Sequence, residues 1–559
     1  MLSDADEKTV AAAGQGKFAK FIASRGGLAP PEAPFVIEHR EALIYMLCQA
    51  AELEHGIMCQ YLFAACSLKQ DEGEGLAAEE LEAVRRWRRV LLRVAADEML
   101  HLALVQNVLS AIGAAPHLGR PNLPTPAHHF PAGIRLTLMP FGERALRHFL
   151  FLERPEGMEL GGAAGIDAVP GDAAPPVTER DIVPRAQDFA TVGHLYRSVE
   201  HGIAHLAEKI GERNLFVGPP RAQATTACFR WPELIPVTDL ASAQQAIDTI
   251  LEQGEGARGR WEHSHFGDFV QILDEYQQLT AANPRFRPTR PVIFATVRTC
   301  EHDKSVPRIG DRVTSGCGDL FNVSYEILLL LMGRFFAHTE ETDAQLRTLA
   351  SAALALMLGA VKPLGDLLTT LPVRPGDSGL NAGPSFELFY ESDCLLPHRE
   401  AAWALLEERV REAADFCRLV SERAPDHVAD QLAPVREALT GVADSLAAHF
   451  AEWGAVSRFS GPGSPAALQP APETATAEPV QERATPMQIS FEENVRDMFR
   501  PKDRQAMQYA FDLWSYDDVA AHADAILARV RAGTMPCDGT WSKEQVDAFQ
   551  AWIDAGKPQ

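Results

Sequence analysis

At 559 residues the chain is long enough for two to four domains, and 46% apolar with 23% charged residues excludes a fibrous or wholly disordered polymer. A net charge of −24 argues against nucleic acid or an anionic membrane as a partner. Nine cysteines without a CxxC pair exclude a disulfide framework, a zinc ribbon and covalent c-type haem.

Residues 1–35 read as an N-terminal arm ending in LAPPEAP. Their start lacks the apolar stretch of a secretory signal, so a cytoplasmic protein is expected. Apolar periodicity predicts a helix over about 36–69 and a second over about 77–112, stopped by Gly113 and Pro116. The Pro- and Gly-rich stretch 114–187 holds an extended segment (IRLTLMPF), a short helix (FGERALRHFLFLERP) and a long loop at 157–187. Loops of that length are commonly functional. A third helix is expected over about 188–212. A fourth runs over about 240–253, breaks at EQGEGARGR and resumes over about 261–281. Four long helices with one long connection between the second and third are the pattern of a ferritin-like four-helix bundle, here spanning 36–285. A second helical domain is expected over 286–455, with a possible strand at PVIFATV. Its most apolar run, 349–361, is too short to span a bilayer and is followed by Lys362. Residues 456–484 have a linker composition, and 485–559 form a small helical module. The fold class is mainly α throughout.

The second helix contains AADEMLHLALVQNVLSAIGAAP. Leu91, Val94, Ala95, Glu98, His101, Leu102, Val105 and Leu109 are three or four apart and share one face. A carboxylate in the middle of an apolar stripe costs several kcal/mol, on the order of the burial penalty for polar groups, unless it is paired. Di-metal bundles resolve this with a Glu from each of two helices and a Glu-x-x-His pair from each of the other two. The first helix offers Glu54, on a stripe with Leu47, Ala50, Ala51, Ile57, Met58 and Tyr61, while Glu52 and His55 fall off that stripe. The third offers Glu200, flanked by Tyr196, Ile203 and Ala207, with His205 nearby. The fourth offers Glu255 and, beyond the glycine-rich break, His265 or His263. His265 is preferred because it shares a stripe with Phe266, Phe269 and Leu273. Each piece has a plainer reading as a solvated or hydrogen-bonded side chain. Together they supply one core-facing carboxylate per helix and two imidazoles.

ELEHGIMCQYL, AADEMLHLALVQNVLSAIGAAP, PHLGRPNLP, GHLYRSVEHG and ILEQGEG resemble the ferritin-like domain of the iminophenyl-pyruvate dimer synthase family. FNVSYEILLLLMGRFF and AGPSFELF resemble the helical region that accompanies it. The resemblance implies oxidative coupling of two aryl-pyruvate imines at the expense of an oxidant. It marks Glu54, Glu98, His101, Glu200, Glu255 and His265 as candidate metal ligands. The C-terminal module resembles the helical frame of a small c-type cytochrome, with Met535 in the axial loop, but it lacks the CxxCH motif.

The expected protein is therefore a non-haem iron enzyme holding one or two ions and acting on a small amino-acid-derived molecule, with a homodimer as the default assembly. An iron-handling protein and a metal-free helical scaffold are the alternatives. The sequence singles out no catalytic residue apart from the ligands. RRWRRVLLR (85–93) reads as a solvated helix face, Met58, Met99 and Met158 as packing, and His128 and His129 as loop residues that could line an entrance.

Overall fold

The computed structural model describes residues 30–126, 129–130, 134–158, 189–256, 261–300, 303–337, 340–376, 379–389, 398–449, 490–500, 503–504, 512–531 and 541–558. Most of the N-terminal arm, nearly all of the 157–187 loop, the 456–484 linker, His128, Cys394, Met535 and Cys537 lie outside them. The chain divides into two compact units, 1–464 and 465–559.

The first unit opens with α1 (Arg40–Ser67) and α2 (Ala78–Ala111), which pack along each other. Glu80 accepts the Ala77 N–H at 3.1 Å to close the start of α2. Its end is set by Gly113 at φ +82, the left-handed position that glycine adopts without a steric penalty. The short helix α3 (Glu143–Leu152) packs on α6 (His265–Ala282), and α4 (Val192–Ile210) packs on α5 (Leu240–Gly254) and α1. Thr191, Asp239 and Ser264 cap α4, α5 and α6 by accepting N–H groups of the first turns. The break expected in the fourth helix is present: α5 ends at Gly254, Gly256 sits at φ +83, and α6 starts at His265.

After the bundle come α7 (Arg312–Phe335), α8 (Asp343–Leu356), a π-helical turn (Met357–Val361), α9 (Lys362–Leu368), α10 (Arg399–Ser421) and α11 (Asp426–Ala447). One continuous apolar core runs from Ile37 to Leu446. The helical run Asp343–Leu368 is apolar and long enough to cross a membrane, yet half of its most apolar stretch is buried against the rest of the unit. PVIFATV does not form a strand. Val292 and Thr296 make isolated bridges to Asn381 and Arg308, so the backbone pairs residue by residue with loops instead of with a neighbouring strand.

The basic stretch on α2 is solvated and ion-paired. Arg86 and the Trp87 indole both reach Glu275, Arg88 donates to Asp366 at 2.8 Å, and Arg93 meets Asp97 and Asp268.

The second unit has its own aromatic core of Phe491, Phe499, Phe549 and Trp552, with α12 (Tyr516–Arg531) and α13 (Lys543–Asp554) around it. FEENVRDMF is not an α-helix but a π turn followed by a 3-10 turn. The Phe491 N–H is held by Pro558 O and the Ser490 N–H by the Asn494 side chain, both at 2.9 Å.

Trp87 tests the packing of the bundle. It is buried, stacks on Phe141 at 5.3 Å and donates its indole N–H to Glu275 Oε2 at 2.7 Å. Trp87→Ala should cost about 3–5 kcal/mol, read as a lower urea midpoint for the first unit. A midpoint unchanged from wild type would show that this ring is not part of the stabilising core.

Candidate metal centre

Glu54 on α1, Glu98 and His101 on α2, Glu153 just past α3 and His265 at the start of α6 converge in the bundle interior. Each is at most 8% exposed. They form two three-residue groups, Glu54/Glu98/His101 and Glu98/Glu153/His265, each with ligand atoms close enough together to hold one ion. Glu98 belongs to both. Helical spacing explains the pair on α2: residues three apart present both side chains to one point.

The two imidazoles are oriented alike. His101 places Nδ1 at 2.9 Å from Glu98 Oε2 and 3.5 Å from Glu54 Oε2, while its Nε2 meets Gln253 Oε1 at 2.9 Å. His265 places Nδ1 at 3.0 Å from Glu98 Oε1 and 3.7 Å from Glu153 Oε2, and its Nε2 faces Asp97 Oδ2 at 3.2 Å. With both outer nitrogens donating, the inner ones, once deprotonated, would offer a lone pair to a cation held among the carboxylates. The His265 Nδ1 is buried and makes no hydrogen bond. An orphaned nitrogen aimed between two carboxylates fits a cation in that space. Tyrosines hold the outer carboxylates: Tyr196 OH donates to Glu54 Oε1 at 2.5 Å, and Tyr61 OH donates to Glu153.

Without a cation the cluster takes up protons. Burial and the neighbouring Glu98 lift Glu54 to about 7. Burial works against charge on His101, but Glu98 and Glu54 outweigh it and raise the imidazole to about 10. His265 goes well up for the same reason, against burial and toward Glu98. Burial would raise Glu98, yet His101 and His265 draw it below the ordinary range. Tyr61 and Tyr196 are pushed well up by burial and by Glu153 and Glu54, so they stay protonated donors.

The other sequence-derived positions lie elsewhere. Glu255 lines the same cavity as Glu54, Glu98, His101 and Glu153 but is in neither group of three. It accepts the Glu156 N–H at 3.1 Å, and burial with the nearby Glu156 lifts it to about 7. Its carboxylate lies where a Cβ on Gly193 would sit, 2.4 Å from that position, so only glycine leaves it room. Glu200 is half-buried and accepts from Gln244 at 3.3 Å. It shares α4 with Tyr196, but Tyr196 alone reaches Glu54. His263 is exposed, His205 pairs with Glu38, and His129 pairs with Glu52 at 2.6 Å. Glu153 is not among the expected ligands because the short helix FGERALRHFLFLERP lies outside the four long helices from which the ligands are taken. Leu146, Phe149 and Leu150 on the buried face of α3 put Glu153 on the same stripe, and that is the signal that finds it.

The family model described as Ferritin-like matches residues 47–274. Residues 47–274 are a ferritin-like domain. The chain is 30% identical over 441 residues to dichlorochromopyrrolate synthase of Lentzea aerocolonigenes, covering 71% of this chain and 41% of that protein. It is 28% identical over 392 residues to 2-imino-3-(indol-3-yl)propanoate dimerase of Chromobacterium violaceum, covering 66% of this chain and 36% of that one. The chain thus spans about two fifths of the length of these curated relatives, both of them enzymes. A solved ferritin-like protein from Caulobacter vibrioides is 17% identical, with a TM-score of 0.37, covering 59% of this chain and 99% of that one.

The proton inventory of this centre would make metal binding pH-dependent. An ion between Glu54, Glu98 and His101 displaces a proton from His101 at all pH values below about 10, and one from Glu54 below about 7. The logarithm of the apparent affinity should therefore rise by about two per pH unit below that of Glu54 and by about one above it. Competition against a chromophoric chelator across the neutral range measures this slope, and a flat profile would contradict the assigned ligands.

Proposed function

We propose that this chain is a metal-dependent oxidative enzyme that couples two amino-acid-derived imines, of the 2-imino-3-aryl-propanoate class, with iron at the Glu54/Glu98/His101/Glu153/His265 cluster. One observation carries the reading: two sets of ligand atoms share Glu98, the arrangement suited to a pair of ions. Three carboxylates with two imidazoles suit hard to borderline divalent metals such as iron. The named activities of the two relatives supply the substrate class.

Joining two such imines through a new C–C bond removes two protons and two electrons. Iron, when bound, would supply the electron sink and pass the electrons on to an oxidant such as dioxygen or peroxide. The chain's own groups do the rest. Glu98 holds the two halves of the centre together. Tyr61 and Tyr196 keep Glu153 and Glu54 turned toward it through their O–H groups. The cavity beside Glu54, His101, Tyr196 and Glu255 has room for a water-sized guest, which matches a small oxidant. Glu255, outside the two ligand groups and titrating near neutrality, is placed to receive a proton released there.

The test loads iron anaerobically and counts it by Mössbauer spectroscopy. The protein is then supplied with imine generated in place by an amino-acid oxidase, and the dimer is followed by mass spectrometry. About two irons per chain and a dimer two hydrogens lighter than two imines are expected. Glu98→Ala should abolish both, and Glu153→Ala should leave about one iron. Rapid iron oxidation without imine consumption would favour an iron-handling protein, and wild-type protein that takes up no metal would favour a scaffold.

A further inference from the structure

The two halves of the centre are built to one plan. Each has a shared Glu98, one outer carboxylate held by a tyrosine O–H, and one imidazole with Nδ1 turned inward. They differ in two respects. The outer nitrogen of His265 faces a carboxylate, Asp97, at 3.2 Å, and Arg93 fastens that carboxylate while also reaching Asp268, three residues after His265 on α6. The outer nitrogen of His101 faces a neutral amide, Gln253, at 2.9 Å. Moreover, of the two imidazoles only His101 lines the cavity, although Glu54, Glu98 and Glu153 all do.

An anionic acceptor on the far nitrogen makes an imidazole a stronger donor and locks its orientation, whereas an amide does so less. The cavity side, in turn, is where a small guest can reach an ion. We propose that the two metal positions are unequal. The His265 position, backed by Asp97 and with its imidazole turned away from the cavity, is the tight one. The His101 position, backed by Gln253, is the weaker one and takes the exogenous ligand. Asp97 and Gln253 are thus positioning residues that divide the centre into a structural and an exchangeable half. This rests on the metal-centre reading above.

The experiment titrates metal-free full-length protein with Co(II) under argon, following the visible ligand-field bands, and then adds azide as an anionic probe after one and after two equivalents. Two resolved steps are expected, with azide shifting the spectrum only after the second ion is in. Asp97→Asn should weaken the first step by about 10–100-fold and leave the second unchanged. Gln253→Glu should tighten the second step by a similar factor and merge it with the first. The two variants lie on different helices, so a folding failure in one leaves the other as the test. Two equal steps, azide binding after the first equivalent, or Gln253→Glu without effect on the second step would overturn the inequivalence while leaving the metal centre standing. Failure to bind any Co(II) would instead remove the metal centre itself.

Discussion

The ferritin-like domain is organised around the cost of burying Glu98. This carboxylate is 2% exposed in the middle of an apolar helix face, where an uncompensated charge would cost several kcal/mol. Glu54 and Glu153 beside it raise that cost further. Two imidazoles turned inward, two tyrosine O–H groups and space for cations are the compensation. Without a cation the two imidazoles become the positive charges that hold Glu98 ionised, and Glu54 rises to about 7. The long straight helices are the means of holding five such groups within reach of one another.

Around this centre the domain repeats the same solution with ordinary ion pairs. The arginines of α2 meet Glu275, Asp366, Asp97 and Asp268, so this basic stretch in an acidic chain becomes a clamp between helices. On the far face of α1, His55 bonds Leu118 O at 2.8 Å and Tyr325 OH at 2.5 Å. Arg120 donates to Phe386 O at 2.6 Å and to Pro121 O at 2.9 Å, and it reaches the Cys59 thiol at 3.6 Å. The α7 helix thus covers a polar row that the bundle by itself would leave open, and that row sits one residue from Glu54.

Sharing Glu98 ties the two halves together chemically, while Asp97 and Gln253 set them apart. The difference is one of charge on the group behind each imidazole, a carboxylate in one half and an amide in the other. An arrangement of this kind lets a single bundle hold one ion firmly and keep the other accessible to a reactant.

Helical periodicity determined much of this from the sequence. Glu54, Glu98 and His101 are legible because each lies on an apolar stripe of one long helix, and spacing along a helix is a local property. The glycine-rich break before His265 is legible for the same reason, since Gly256 and Ser264 carry their own backbone signals. What periodicity does not contain is the rotation of one helix against another. Tyr196 and Glu200 lie on one stripe of α4, yet only the packing of α4 on α1 and α5 decided that Tyr196 meets Glu54 and Glu200 meets Gln244. His55 falls off the apolar stripe of α1, and only the tertiary contact with Tyr325 of α7 buries it. Glu153, outside the four long helices, entered the centre because α3 packs on α6, a contact between segments more than a hundred residues apart that no local pattern encodes.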